Sequence, residues 1–166
     1  ENIKYMQADI LDLANFKGSF DIIESVGVLH HMKDPFEGWQ ILTNCLKEGG
    51  FMKIGLYSEM ARRYITKVRK EIARLGIEAT EKGMKDFRQS IINSSSEQHE
   101  TIKEFYDFYS LSELRDLLFH VQEHQFSIAT IKSSLTKLSL SFCGFEGNQL
   151  GYFEQKYQEK DDLYDL

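Results

Sequence analysis

Phe20–Pro35 (FDIIESVGVLHHMKDP) constrains the fold more than any other stretch of the chain. Asp21 opens an apolar, partly β-branched run that Gly27 breaks just before Leu29, His30 and His31. A run so apolar reads as a short buried strand, Asp21–Val26, covered by helices on both faces as strands of parallel sheets are. Gly27 lets the backbone leave the sheet at angles that other residues avoid. Polar side chains just beyond such a strand lie where open α/β sheets bind ligands, outside the carboxyl ends of the strands.

The flanking sequence supplies alternating elements. Asn2–Ala8 reads as a short strand with Asp9 at its exit, and Asp12–Lys17 as a loop or single helical turn. Asp34–Pro35 opens a helix, with an acid at the N-cap and proline at the first helical position. Its inward stripe runs through Phe36, Trp39, Leu42, Thr43 and Leu46, and Gly49–Gly50 ends it before a strand at Phe51–Leu56. From Ser58 helices dominate. One runs to Leu75 with Gly76 as its stop, carrying Arg62, Arg63, Lys67, Arg69, Lys70 and Arg74 on a basic outer face. Further helices are expected over Thr80–Ile92, Ser110–His120 and Thr130–Leu138, with a flexible polar loop at Asn93–Gln98 and a short helix or turn at Thr101–Tyr109. Leu140–Phe145 reads as a last strand, and the acidic tail Gln155–Leu166 frays or packs against something else.

This order predicts an α/β fold with a mostly parallel sheet and a large helical insertion before the last strands. Three segments follow: a partial α/β core over 1–57, a helical insertion or lid over 58–126, and a C-terminal helix, strand and acidic tail over 127–166 that complete the core. The formal charge of −6 offers no general basic field for nucleic acid or an anionic membrane. No apolar run approaches the roughly 18 residues that span a bilayer, and no signal peptide is visible. Cys45 and Cys143, both in apolar sequence, suit reduced thiols in a cytoplasmic protein better than a disulfide framework. The chain opens at Glu1 without methionine and enters a strand almost at once, which reads as a cut end.

Phe20–Pro35 followed by ILTNCLKEGGFMKIG resembles the fourth strand, helix and fifth strand of a class I S-adenosylmethionine-dependent methyltransferase, and the upstream QADILDL resembles the segment after that family's third strand. The matches cover Ile3–Tyr57. The resemblance implies a partial Rossmann-like sheet of order 3-2-1-4-5-7-6 and S-adenosylmethionine as cofactor. Asp9 would face the adenine amine with Ile10 beside the ring, and Ser25, Val26 and Gly27 would line the methionine moiety. The family's glycine-rich turn after the first strand, and its ribose-binding acid after the second, have no counterpart in these residues. A fragment is therefore expected, with the missing N-terminal segment of the same protein as a partner and an open apolar edge on Asp21–Val26.

Methyl transfer from a sulfonium needs positioning, exclusion of water and often removal of a proton. His30 and His31 are the candidate catalytic residues, since histidine titrates in the useful range; helix bracing is the plainer alternative for either. His30, His31 and Asp34 also have a short ligand-like spacing, but no further cluster accompanies them, and no metal is expected. His120 and His124 flank Glu123 and would share a face if the helix continued. The acceptor, a small molecule or a protein, is not legible. Two rival readings remain: a non-catalytic interaction module that retains the fold, and a His/Asp metal hydrolase.

Overall fold

The computed structural model describes residues 2–120 and 122–146. In chain order it has a 3-10 helix Ile10–Phe16, strand β1 (Phe20–Val26), a 3-10 turn Leu29–His31, helix α1 (Pro35–Cys45) and strand β2 (Leu46–Gly55). Helices α2 (Arg63–Leu75), α3 (Glu81–Ile92), α4 (Glu97–Lys103), α5 (Leu111–Phe119) and α6 (Ile128–Lys137) follow, with a 3-10 turn Tyr106–Phe108 before α5. The acidic tail Gln155–Leu166 lies outside the described residues. The chain divides into two compact units. The first holds the described residues up to Leu29, Asp34–Leu56 and those from Phe126 on; the second holds His30–Lys33 and Tyr57–Gln125.

In the first unit β1 and β2 are parallel neighbours joined through α1, the crossover that parallel pairing requires. Ile22 pairs with Phe51 and Val26 with Gly55, and the register slips between Phe20 and Ile22. Gly50 sits at that slip, where a Cβ would come within 2.8 Å of the Asp21 carbonyl oxygen. Asp34 caps α1 by accepting hydrogen bonds from the backbone N–H groups of Phe36 and Glu37 at 2.9 and 3.2 Å. The helix buries Trp39, Leu42 and Cys45 and packs against the 3-10 helix Ile10–Phe16, where the Cys45 thiol donates to the Leu13 carbonyl. Burial pushes that thiol's pKa up.

Several expectations need correction here. α1 stops at Cys45, and β2 begins at Leu46 rather than Phe51. Neither Asn2–Ala8 nor Leu140–Phe145 forms a strand, because a strand exists only through a ladder partner and neither segment has one among the described residues. β1 is not buried: Ile22 is 72% exposed, Phe20 and Val26 are exposed, and only Ser25 is buried. A two-stranded sheet is too narrow to cover both its faces. Cys143 is exposed rather than in a core.

The second unit has its own core. Ile65, Val68 and Ile72 of α2 meet Met84, Phe87 and Ile91 of α3, Ile102 of α4, Phe108, and Leu114, Leu117 and Leu118 of α5. Gly76, at φ +64°, ends α2, and the N–H of Ile77 returns to the Ile72 carbonyl. α2 starts at Arg63, later than Ser58, and α4 begins inside the stretch expected to be a polar loop, with Ser96 at its N-cap. Among the described residues no helix is long and apolar enough to cross a membrane.

Candidate functional site

The sequence-derived candidates fall into the two units. Asp9, Ile10, Ser25, Val26 and Gly27 belong to the first; His30 and His31 belong to the second.

Asp9 caps the 3-10 helix through a 2.9 Å hydrogen bond that its Oδ1 accepts from the N–H of Leu11, and Ile10 beside it is half-buried. Ser25 is buried at the end of β1, and its hydroxyl has no hydrogen-bond partner among the described residues. An orphaned buried hydroxyl is uncommon and wants a polar group against it. Gly27 has φ +77°, and nothing lies within 4 Å of where its Cβ would be. Beyond the strand, then, the backbone is bare and open. An unsatisfied hydroxyl beside an uncovered main chain suits the polar amino-acid end of S-adenosylmethionine, and Asp9 retains a second carboxylate oxygen for a donor such as an adenine amine.

In the second unit the segment His30–Lys33 is tied to residues 120–125. The N–H of His124 donates to the His30 carbonyl at 2.8 Å, the Gln122 side-chain amide donates to the Met32 carbonyl at 2.9 Å, and His31 Nδ1 donates to the Gln122 carbonyl at 3.2 Å. His30 is only 1% exposed, with its ring 3.7 Å from that of Tyr57 and stacked on it. His31 is half-buried, with its ring 4.2 Å from that of His120.

Behind Tyr57 lies an ion network. The Arg62 guanidinium sits 3.8 Å from the centre of the Tyr57 ring and donates twice to Glu123, at 2.7 and 2.6 Å. Arg69 approaches the same carboxylate at 3.0 Å and also donates to the His120 carbonyl at 2.8 Å. The Glu123 side chain is 1% exposed. Burial alone would push its carboxyl up, but the hydrogen bonds from Arg62 and Gln125 and the charges of both arginines hold it below the usual carboxylate range. Burial likewise lowers Arg69, against the pull of Glu123.

Two expectations fail in this region. α5 ends at Phe119, so His120 and His124 do not share a helical face. Arg62 and Arg69 are not on a solvated outer face but turn onto a buried acid. Their spacing carried the signal: Arg62, Ile65, Arg69 and Ile72 recur at three and four residues, along the apolar stripe of α2. Tyr57, Gln122 and Glu123 had no comparable local mark. Among the described residues no group of three or more His, Cys, Asp or Glu side chains is placed to hold a metal ion.

Residues 1–54 match the family model described as a methyltransferase domain. The match supports the class I S-adenosylmethionine-dependent methyltransferase domain that the sequence resembles, and the mixed α/β structure with parallel β1 and β2 accords with part of a Rossmann-like methyltransferase fold. An uncharacterized protein of Synechococcus sp. is 28% identical over 177 aligned residues, which cover 99% of this chain and 41% of that protein. The chain thus spans about two-fifths of the length of that relative.

Proposed function

We propose that this chain is part of a cytoplasmic S-adenosylmethionine-dependent methyltransferase, in which Asp9, Ile10, Ser25, Val26 and Gly27 supply one portion of the cofactor site. The observation that carries this reading is the tip of β1: the orphaned Ser25 hydroxyl beside the open Gly27 backbone, within the segment matched to methyltransferase domains. When bound, the cofactor supplies an electrophilic methyl group on a sulfonium. The Asp9 carboxylate accepts from the adenine amine, Ile10 packs on the ring, and Ser25 with the Gly27 main chain holds the polar amino-acid end. His31 takes a proton from the acceptor, whereas His30, sealed and stacked on Tyr57, orients its neighbour. The glycine-rich turn and ribose-binding acid come from a segment of the same protein preceding Glu1, and the acceptor is a small molecule or a protein.

Calorimetric titration with S-adenosylhomocysteine tests this. The chain 1–166 binds weakly or not at all, and the gene's complete product binds in the micromolar range. Micromolar binding by 1–166 alone refutes the divided site. No binding by the complete product favours an interaction module that keeps the fold without the cofactor.

A further inference from the structure

Gln122 touches three histidines, and each contact fixes where a proton sits. Its backbone carbonyl is an acceptor only, so His31 Nδ1, 3.2 Å away, carries a hydrogen and leaves a lone pair on Nε2. Its backbone N–H is a donor only and points at His120 Nδ1 at 3.2 Å, so the proton of neutral His120 sits on Nε2. Its side-chain nitrogen donates to the Met32 carbonyl, which sets the amide's orientation; the same NH2 lies 3.2 Å from His124 Nε2, which therefore accepts and leaves His124 protonated on Nδ1.

The three rings are consequently unequal. His120 and His124 each commit a ring lone pair to an N–H of Gln122, whereas His31 donates and keeps its Nε2 lone pair uncommitted. Among the described residues neither His31 Nε2 nor His120 Nε2 has a hydrogen-bond partner, and both side chains are half-buried. The two ring centres lie 4.2 Å apart and tilted by 34°, so the two rings are immediate neighbours.

We propose that the His31–His120 pair, with opposite tautomers imposed by the Gln122 backbone, is a site for a hydroxyl-bearing acceptor. The hydroxyl donates to His31 Nε2 and accepts from His120 Nε2–H. When the oxygen reacts, its O–H bond breaks with the electron pair staying on oxygen, and the proton passes to His31 Nε2. The reaction at that oxygen rests on the methyl-transfer reading; the tautomers and the hydroxyl binding do not.

The test is long-range 1H–15N correlation of the histidine rings in the uniformly 15N-labelled chain at a pH where they are neutral. Single His→Gln variants assign the five ring systems. His31 should show Nδ1–H, His120 Nε2–H and His124 Nδ1–H. Gln122→Ala should leave His31 and His120 unchanged, because their partners are backbone, and return His124 to a mixture of tautomers. Millimolar phenol should shift both free Nε2 signals, whereas anisole, which lacks the O–H donor, should shift them at least tenfold less. Nε2–H on His31, matching tautomers on His31 and His120, or equal responses to phenol and anisole overturn the proposal. No cofactor is present, so these outcomes stand apart from the calorimetric result.

Discussion

Replacing Glu123 by alanine removes the carboxylate that both Arg62 and Arg69 face. The Arg62 and Arg69 side chains are only 12% and 17% exposed, so water replaces the lost partner poorly. Breaking a buried pair by deleting one member costs about 3–5 kcal/mol, because the surviving charges stay desolvated. For a unit of this size that is a fall in Tm of about 12 °C or more. The assay is thermal and urea unfolding followed by near-ultraviolet circular dichroism of tyrosine, since Tyr57, Tyr64, Tyr106 and Tyr109 all lie in the second unit. The triple variant Glu123→Leu, Arg62→Met, Arg69→Met removes every charge at once and should regain most of the loss. Because the Glu123 carboxyl is held low in the fold, its contribution is present above the unfolded value of about 4.3 and is lost as pH falls through the lower folded value. Acid should therefore narrow the gap between the native chain and the triple variant. A loss below about 1 kcal/mol in Glu123→Ala would refute the buried network.

Asp34→Ala deletes the cap of α1 and should cost about 0.5–2 kcal/mol, read from the fluorescence of buried Trp39 on that helix. Gly76→Ala forces a Cβ into the left-handed region at the end of α2 and should cost about 1–2 kcal/mol in the urea midpoint of the second unit. Phe108→Ala empties a fully buried site in the same core and should cost about 3–5 kcal/mol by thermal unfolding, leaving the Trp39 signal at its native position.

Local chemistry made the sheet unit legible. Asp34–Pro35 marked the start of α1, the 3.6-residue stripe through Trp39 and Leu42 marked its buried face, and the apolar Ile22–Ile23 run marked β1. What local sequence does not encode is who stands beside a strand. The periodicity of Asn2–Ala8 and Leu140–Phe145 is strand-like, yet neither has a ladder partner among the described residues, and β1 is exposed for want of neighbours to cover it. The histidine cluster was legible in its members and not in its logic. His30, His31, His120 and His124 stood out by type, but what His31 and His120 meet at Nδ1 is the backbone of Gln122, about ninety positions from His31. Contacts of such separation leave no periodic trace. The Arg62–Arg69 stripe was readable, but its acid lies in a segment with no regular structure.

Ultraviolet cross-linking of the complete gene product with methyl-tritiated S-adenosylmethionine asks the central question directly. The tip of β1 lies in the tryptic peptide Gly18–Lys33, which holds Ser25, Gly27, His30 and His31. Label on that peptide, abolished by excess S-adenosylhomocysteine, is the predicted result. Displaceable label confined to other peptides would contradict the account.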